Sequence, residues 1–290
     1  MNVPQTISGA LSNDMMFTLD ALLRQALQED IGNGDLTTTA IIPEDARGEA
    51  IIVANEDGVV AGGPIATRLF QLFDPELSCQ LIHYDGTRVK RGDPIMTIHG
   101  HIRSILTVER VALNLLMRLS GIATATYELV ASIAGTRARI ADTRKTMPLF
   151  RILDKYAVRM GGGVNHRFGL YDAILIKDNH LAYAGSIQKA VHLARQRASH
   201  LMPIEVEIER LEDIPEVIAS GADAVLFDNM SPTDLKRAVQ MVGGRLTTEA
   251  SGGITKENIR AIAESGVDII SVGRLTHSVQ ALDISLDLQG

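Results

Sequence analysis

The chain has one cysteine, Cys79, among 290 residues. A single thiol excludes an intramolecular disulfide framework and a cysteine-rich zinc site, and a lone cysteine is most often a small buried hydrophobe. No apolar run approaches the ~18 residues a membrane span needs. The first 14 residues contain no Lys or Arg and no apolar stretch. They are therefore not read as a signal peptide, and a cytoplasmic address is the default expectation. Also missing is a global positive charge: Lys and Arg number 28, Asp and Glu 35, for a formal net charge of −7. That balance excludes a generally basic nucleic-acid binder and disfavours an anionic membrane surface as partner.

The charge that is present is uneven. Between residues 137 and 167 lie eight Lys or Arg and only Asp142 and Asp154. An acidic protein with one basic island points to a local site for a small anion. Hydrophobic residues at 46% and charged residues at 22% are ordinary for a globule with a real core.

Residues 1–16 read as a loose polar arm. An amphipathic helix is expected over 17–29, with Leu19, Leu22, Leu23, Ala26 and Leu27 on one stripe and Thr18 as its cap. Residues 29–38 read as a glycine-punctuated loop. Short strands are expected at 48–54, 58–61, 79–84, 88–89 and 94–99, around a helix at 64–73. The turn at 89–95 has the look of a biotinyl or lipoyl hairpin but lacks the modified lysine in context, so it reads as a tight β-turn. A long Leu-rich helix, 104–122, follows. Beyond it, apolar strands at 139–142, 173–176, 204–208, 224–227, 246–250 and 268–272 alternate with helices, the pattern of a parallel sheet. The expected fold is α/β: an incomplete α/β barrel of the TIM type, preceded by an N-terminal α+β domain. An open doubly wound sheet is the alternative. The domains are placed at 1–112, rejoined by the tail 279–290 as an edge strand, and at 113–278.

In such barrels chemistry gathers at the C-terminal strand ends. There the sequence offers Thr143, Arg144 and Lys145, then Lys177, then Glu205, Glu207 and Glu209 on one face, then Asp228, Ser251-Gly252-Gly253 and Gly273-Arg274. The two glycine segments follow the last two strands, where barrels bind phosphate with backbone N–H groups. Glu207 and Asp228 beside them suit a hard cation, Mg²⁺, although both also serve as ion-pair partners for Arg144 and Lys177 on the blander reading. Arg144, Lys145, His166, Arg167 and Lys177 form a cationic wall with guanidinium forks for carboxylates. Arg151, Lys155 and Arg159, at helical spacing, read as a solvated helix face. Gly161-Gly162-Gly163 frees the loop that presents Asn165, His166 and Arg167.

Nine ordered stretches (29–38, 109–114, 142–146, 165–167, 176–180, 205–209, 226–229, 251–253 and 271–278) resemble the quinolinate phosphoribosyltransferase family. The resemblance implies transfer from phosphoribosyl pyrophosphate to quinolinate with decarboxylation, giving nicotinate mononucleotide, pyrophosphate and CO₂ in NAD biosynthesis, with Mg²⁺ as cofactor. It implies an open-faced sandwich for the N-terminal domain, and that Arg144, His166 and Arg167 bind the quinolinate carboxylates and Thr143 binds substrate, with Lys145 and Lys177 close by as catalytic groups. Glu207 and Asp228 would be catalytic and hold the metal. Ser251, Gly252, Gly253, Gly273 and His277 would hold phosphate. It further implies a head-to-tail homodimer, possibly a higher oligomer, in which Arg110 reaches the neighbouring subunit's site. Nucleic acid and membrane are not expected partners. Arg274 departs from the small residue common at that position. The rival readings are a related protein of molybdenum transport loci acting on another substrate, a Schiff-base aldolase with Lys177 as nucleophile, and a phosphosugar-binding protein without turnover.

Overall fold

A computed structural model of the chain describes residues 13–289. These fall into two compact units. One extends to Thr124 and takes back the C-terminal stretch from Val279; the other is Ala125–Ser278.

The first unit opens with α1 (Asn13–Ile31) and α2 (Leu36–Ile41). Helix α1 starts earlier than its apolar stripe implied, so Thr18 lies inside it rather than capping it. Its expected stripe is correct, with Leu19, Leu23 and Leu27 buried. Residues 1–12 of the expected polar arm lie outside the described residues. Helix α2 stands where the sequence read as loop, because Asp35 caps it by accepting the Thr38 N–H at 2.9 Å. Then come β1 (Arg47–Ala54), β2 (Gly58–Val59), α3 (Gly63–Phe73), β3 (Ser78–Leu81), β4 (Arg88–Val89), β5 (Pro94–His101) and α4 (Ile102–Ser132). Helix α3 packs on α1, and Arg68 grips Asp20 through Nε–Oδ1 at 2.8 Å and Nη2–Oδ2 at 2.5 Å. Strand β1 buries Ala50, Ile52 and Ala54 on one face. The turn before β5 is tight, Asp93 N–H donating to the Lys90 carbonyl at 3.0 Å. Cys79 in β3 is half-buried, and burial pushes its thiol up to about 11, which keeps it protonated and inert.

The second unit contains β6 (Arg139–Ala141), α5 (Arg151–Met160), β7 (Ile174–Ile176), α6 (Asp178–Ala184), α7 (Ile187–Arg197), β8 (Ile204–Ile208), α8 (Ile214–Ala219), β9 (Ala224–Asp228), α9 (Pro232–Val242), β10 (Thr247–Ser251), α10 (Ile259–Glu264), β11 (Ile269–Ser271) and α11 (Arg274–His277). The six strands form one parallel sheet in the order β6-β11-β10-β9-β8-β7. From β7 to β11 each strand pairs with its successor in sequence, and β11 pairs with β6, the first. First beside last is the order of a barrel, here open between β6 and β7. Val206, Val225, Phe227 and Ile270 pack in a continuous core with residues of the surrounding helices such as Leu235, Ala238 and Val242. Helix α10 starts at Ile259, after Asn258 Oδ1 accepts the Thr255 N–H at 2.8 Å. The chain ends in β12 (Ile284–Gln289), which pairs antiparallel with β1 at the edge of the first unit's sheet, order β12-β1-β5-β3. No helix among the described residues is long and apolar enough to cross a membrane.

Candidate active site

Alternation along the parallel strands sends one set of side chains to the helices and the other into the barrel. On β8, Ile204, Val206 and Ile208 belong to the apolar core, so Glu205 and Glu207 point the other way. Strand ends and the loops after them then surround a cavity of about 550 Å³. Thr143, Arg144 and Lys145 come from the loop after β6, His166 and Arg167 from the loop after α5, and Lys177 from the end of β7. Glu207, Asp228 and Ser251 come from β8, β9 and β10. Gly252, Gly253, Gly273 and His277 complete the set, so every site residue expected from the sequence lines the cavity except Arg110. Arg110 sits on α4 with a side chain 60% exposed and its nearest acid, Glu109, 3.8 Å away.

The cations have unequal settings. Lys177 Nζ meets Glu207 Oε2 at 2.5 Å, so the ion-pair reading of Glu207 holds for the protein as it stands. Arg167 donates Nη1–H to the Ala173 carbonyl at 2.8 Å. Burial, with Arg144 beside it, lowers its pKa. Arg144 has its Nε buried without a hydrogen-bond partner among the described residues. Like charges gathered this way favour an anion between them.

One expectation is overturned. Lys155, read as a solvated helix residue, is fully buried and ion-paired to the fully buried Asp142. Helix α5 turns that position toward β6, while Arg159 stays exposed. The Lys155 ammonium also donates to the His166 carbonyl at 2.8 Å and lies 5.1 Å from the centre of the Phe168 ring. Asp142 accepts the His166 N–H at 2.9 Å and the Asn165 amide at 2.5 Å. Arg151 donates to Thr146 Oγ1 at 3.0 Å and to the Phe168 carbonyl at 2.9 Å. The helix charges thus brace the two loops that carry Arg144 and Arg167. Gly161 ends α5, Gly162 takes φ +87°, and Val164 bridges to Ala141, which delivers His166 to the cavity.

Glu249, on β10, lines the cavity and was not singled out in the sequence. The signal was parity: it lies two residues before Ser251, hence on the same inward face. It is 5% exposed. Its Oε1 has no hydrogen-bond partner among the described residues and lies 3.7 Å from His166 Nε2. Burial first, then the charge of Glu205, push its carboxyl up to about 7, opposed by His166 and the Ser271 hydrogen bond. For His166, burial opposes the imidazolium and the carboxylates of Glu205 and Glu249 favour it, with a net upward push. The hydrogen bonds decide the ring's state. The Arg167 N–H donates to Nδ1 at 2.7 Å, which needs a lone pair there. The ring is therefore neutral, with its proton on Nε2 facing Glu205 Oε2 at 3.2 Å. His166 lines the cationic wall without adding a charge. The ligand-type atoms of His166, Glu205 and Glu249 lie within 4.8 Å of one another. A protonated Nε2 has no lone pair for a metal; it faces Glu205, and Glu249 Oε1 stands beside the pair without a hydrogen bond from it.

Elsewhere along the cavity, and beside Lys145 at Gly273, the backbone is shaped for close approach. Gly252 has φ +83°, and a Cβ there would stand 2.2 Å from Asn229 Oδ1 and 2.8 Å from Asp228 Oδ1. Asn229 itself has φ +55° and donates its amide to Asp228 Oδ2 at 2.8 Å. A Cβ on Gly273 would stand 2.9 Å from Lys145 Cδ. At Gly252 and Gly273 the backbone itself forms the cavity edge, with Ser251, Thr255 and Arg274 lining it alongside.

Known proteins resemble the chain over nearly its whole length. The chain is 49% identical over 270 residues to the probable nicotinate-nucleotide pyrophosphorylase [carboxylating] of Bacillus subtilis, covering 93% of each. It is 44% identical over 272 residues to the corresponding protein of Mycobacterium leprae, covering 92% of this chain and 95% of that one. The solved structure of the nicotinate-nucleotide pyrophosphorylase from Francisella tularensis superposes with a TM-score of 0.90 at 39% identity, over 99% of this chain and all of that one. The family models for the N-terminal and C-terminal domains of quinolinate phosphoribosyl transferase match residues 35–120 and 122–287. On its sequence, its barrel and the two family models, the chain belongs to the quinolinate phosphoribosyl transferase family.

Proposed function

We infer that this enzyme transfers the phosphoribosyl group of phosphoribosyl pyrophosphate to the ring nitrogen of quinolinate and releases the 2-carboxylate as CO₂, giving nicotinate mononucleotide and pyrophosphate. The observation that carries this reading is a single cavity lined both by cations, Arg144, Lys145, Arg167 and Lys177, and by the glycine segments around Ser251–Gly253 and Gly273. The cationic wall suits a planar dicarboxylate, which guanidinium forks bind bidentately. The glycine wall lets backbone N–H groups reach phosphate oxygens. Positive charge develops at the anomeric carbon during transfer, and Glu207 carries a carboxylate into that cavity. Negative charge develops on the leaving pyrophosphate, where Lys145 and His277 border the glycine loops. Ribosylation makes the ring nitrogen cationic, which stabilises the carbanion left at C2, so decarboxylation follows transfer.

Glu207 and Asp228 present carboxylate oxygens from adjacent strands, a donor set that fits a hard cation. Mg²⁺ held there would neutralise charge on the pyrophosphate. The exposed guanidinium of Arg110 suits a group donated to a second copy, so the reading includes a cytoplasmic homodimer. Lys177 Nζ is engaged by Glu207, which speaks against the Schiff-base alternative, and the relatives' shared activity speaks against a molybdenum-locus role. The test mixes the enzyme with quinolinate, phosphoribosyl pyrophosphate and Mg²⁺. Stoichiometric pyrophosphate and CO₂ are expected; release of neither would overturn the reading.

A further inference from the structure

Loss of CO₂ leaves an electron pair on C2, and the product bears hydrogen there, so each turnover must bring a proton into the cavity. The groups around that cavity differ in what they can give. The guanidinium groups of Arg144 and Arg167 do not release protons. Lys177 Nζ is engaged by Glu207 at 2.5 Å. The ring proton of His166 sits on Nε2, 3.2 Å from Glu205 Oε2. Glu249 is different: it lines the cavity, and its Oε1 is buried with no hydrogen-bond partner among the described residues.

We propose that Glu249, in its carboxylic acid form, donates the proton to C2 as the ribosylated quinolinate loses CO₂. The proposal rests on the quinolinate reading above. In the step, the bond between C2 and the carboxylate breaks and leaves its electron pair on C2 as CO₂ departs. The O–H bond of Glu249 breaks and its proton closes the C2–H bond. The carboxylate that remains takes up a proton from solvent before the next turnover.

The surroundings keep that proton available. Glu249 faces Glu205 from β8, His166 from the loop after α5, Asp142 beyond β6 and Ser271 from β11. Burial and the Glu205 charge disfavour its ionised form and hold it near 7, where a general acid works best at neutral pH. The cations of the cavity, Arg144, Lys145, Arg167 and Lys177, then stabilise the carboxylate as it forms. Because the donor must be protonated, the CO₂-forming step is fast below about pH 7 and falls as pH rises through that value.

Single-turnover quench of the full-length enzyme, with quinolinate labelled in the 2-carboxylate, follows pyrophosphate and CO₂ separately. The wild-type enzyme should show the falling alkaline limb in CO₂ release. Glu249→Gln should release pyrophosphate within a few-fold of wild type, slow CO₂ release by about a hundredfold, accumulate the ribosylated dicarboxylate and lose the alkaline limb. Glu249→Asp, which keeps the acid one methylene further back, should slow CO₂ release but retain the limb. Equal slowing of pyrophosphate and CO₂ in Glu249→Gln, or a limb that persists in it, would overturn the proposal. So would a flat wild-type profile, which needs no variant to fold. A wild-type enzyme that released neither product would instead overturn the quinolinate reading.

Discussion

Lys155 shows how a side chain that touches no substrate can decide whether the site exists. Its ammonium is completely buried against Asp142 and the His166 carbonyl. Removing one partner of a buried pair leaves the other charged and desolvated, a loss of about 3–5 kcal/mol. Lys155→Met is therefore expected to lower stability by that amount, read by urea denaturation, and to weaken quinolinate binding because the 165–167 loop loses its brace. Arg144 makes the opposite case. It lines the cavity directly, and loss of charge-assisted hydrogen bonds to a carboxylate is worth about 1.5–3 kcal/mol. Arg144→Ala should raise KM for quinolinate by roughly 10–100-fold with little change in melting temperature, measured by steady-state kinetics. Most of the cavity residues were legible because strand ends follow from apolar periodicity and chemistry gathers there. Lys155 was not, since spacing along one helix says nothing of a carboxylate thirteen residues back on a strand end. Glu249 was missed because β10, Thr-Thr-Glu-Ala-Ser, is mostly polar, so no apolar alternation marked which of its side chains turn into the barrel.

At the scale of elements, helix α2 is the informative case. Its sequence, Leu-Thr-Thr-Thr-Ala-Ile, is rich in β-branched residues of low helix propensity, and Gly32 and Gly34 just before it announce a loop. The helix forms through contacts that periodicity does not register. Asp35 caps it, Thr107 donates to Asp35 Oδ2 at 3.2 Å, and Arg103 donates to the Ile42 carbonyl at 2.7 Å and the Thr39 carbonyl at 3.2 Å. Asp35→Ala should cost about 1–2 kcal/mol, seen as a lowered denaturation midpoint. The Thr38 hydrogen bonds hold the Asp35 carboxyl below its usual value. Its contribution is therefore fully present above the ordinary carboxylate range and lost as pH falls through the depressed value. The difference between wild type and Asp35→Ala should shrink in acid, and a constant difference would remove the carboxylate as its source. The barrel strands were easier to place, since most are short apolar or alternating runs between helical segments, as in β7, Ile-Leu-Ile, and β8, Ile-Glu-Val-Glu-Ile. Helix α6, only seven residues with no apolar stripe, left no such trace.

For the molecule as a whole, chain order and spatial order disagree. The barrel unit, Ala125–Ser278, lies in sequence between the parts of the first unit, and β12 completes that unit's sheet against β1 over Glu49–Ala54. The alternating tail made this return legible, because Ile284, Leu286 and Leu288 share one face of an extended strand. Deleting residues 284–290 uncovers the β1 edge and removes Ile284, which is 3% exposed. The buried side chain alone is worth about 1.5–3 kcal/mol, and an open edge invites pairing between chains. The truncated protein should melt lower and scatter light on standing, while a dicarboxylate should still bind the barrel cavity. The same return sets a timetable during synthesis. When the ribosome has made the barrel, the sheet begun at residue 47 still lacks the strand of residues 284–289, and it can close only after that strand leaves the exit tunnel. Until then the nascent chain carries an unpaired strand edge, so the first unit waits on a strand made after the whole barrel.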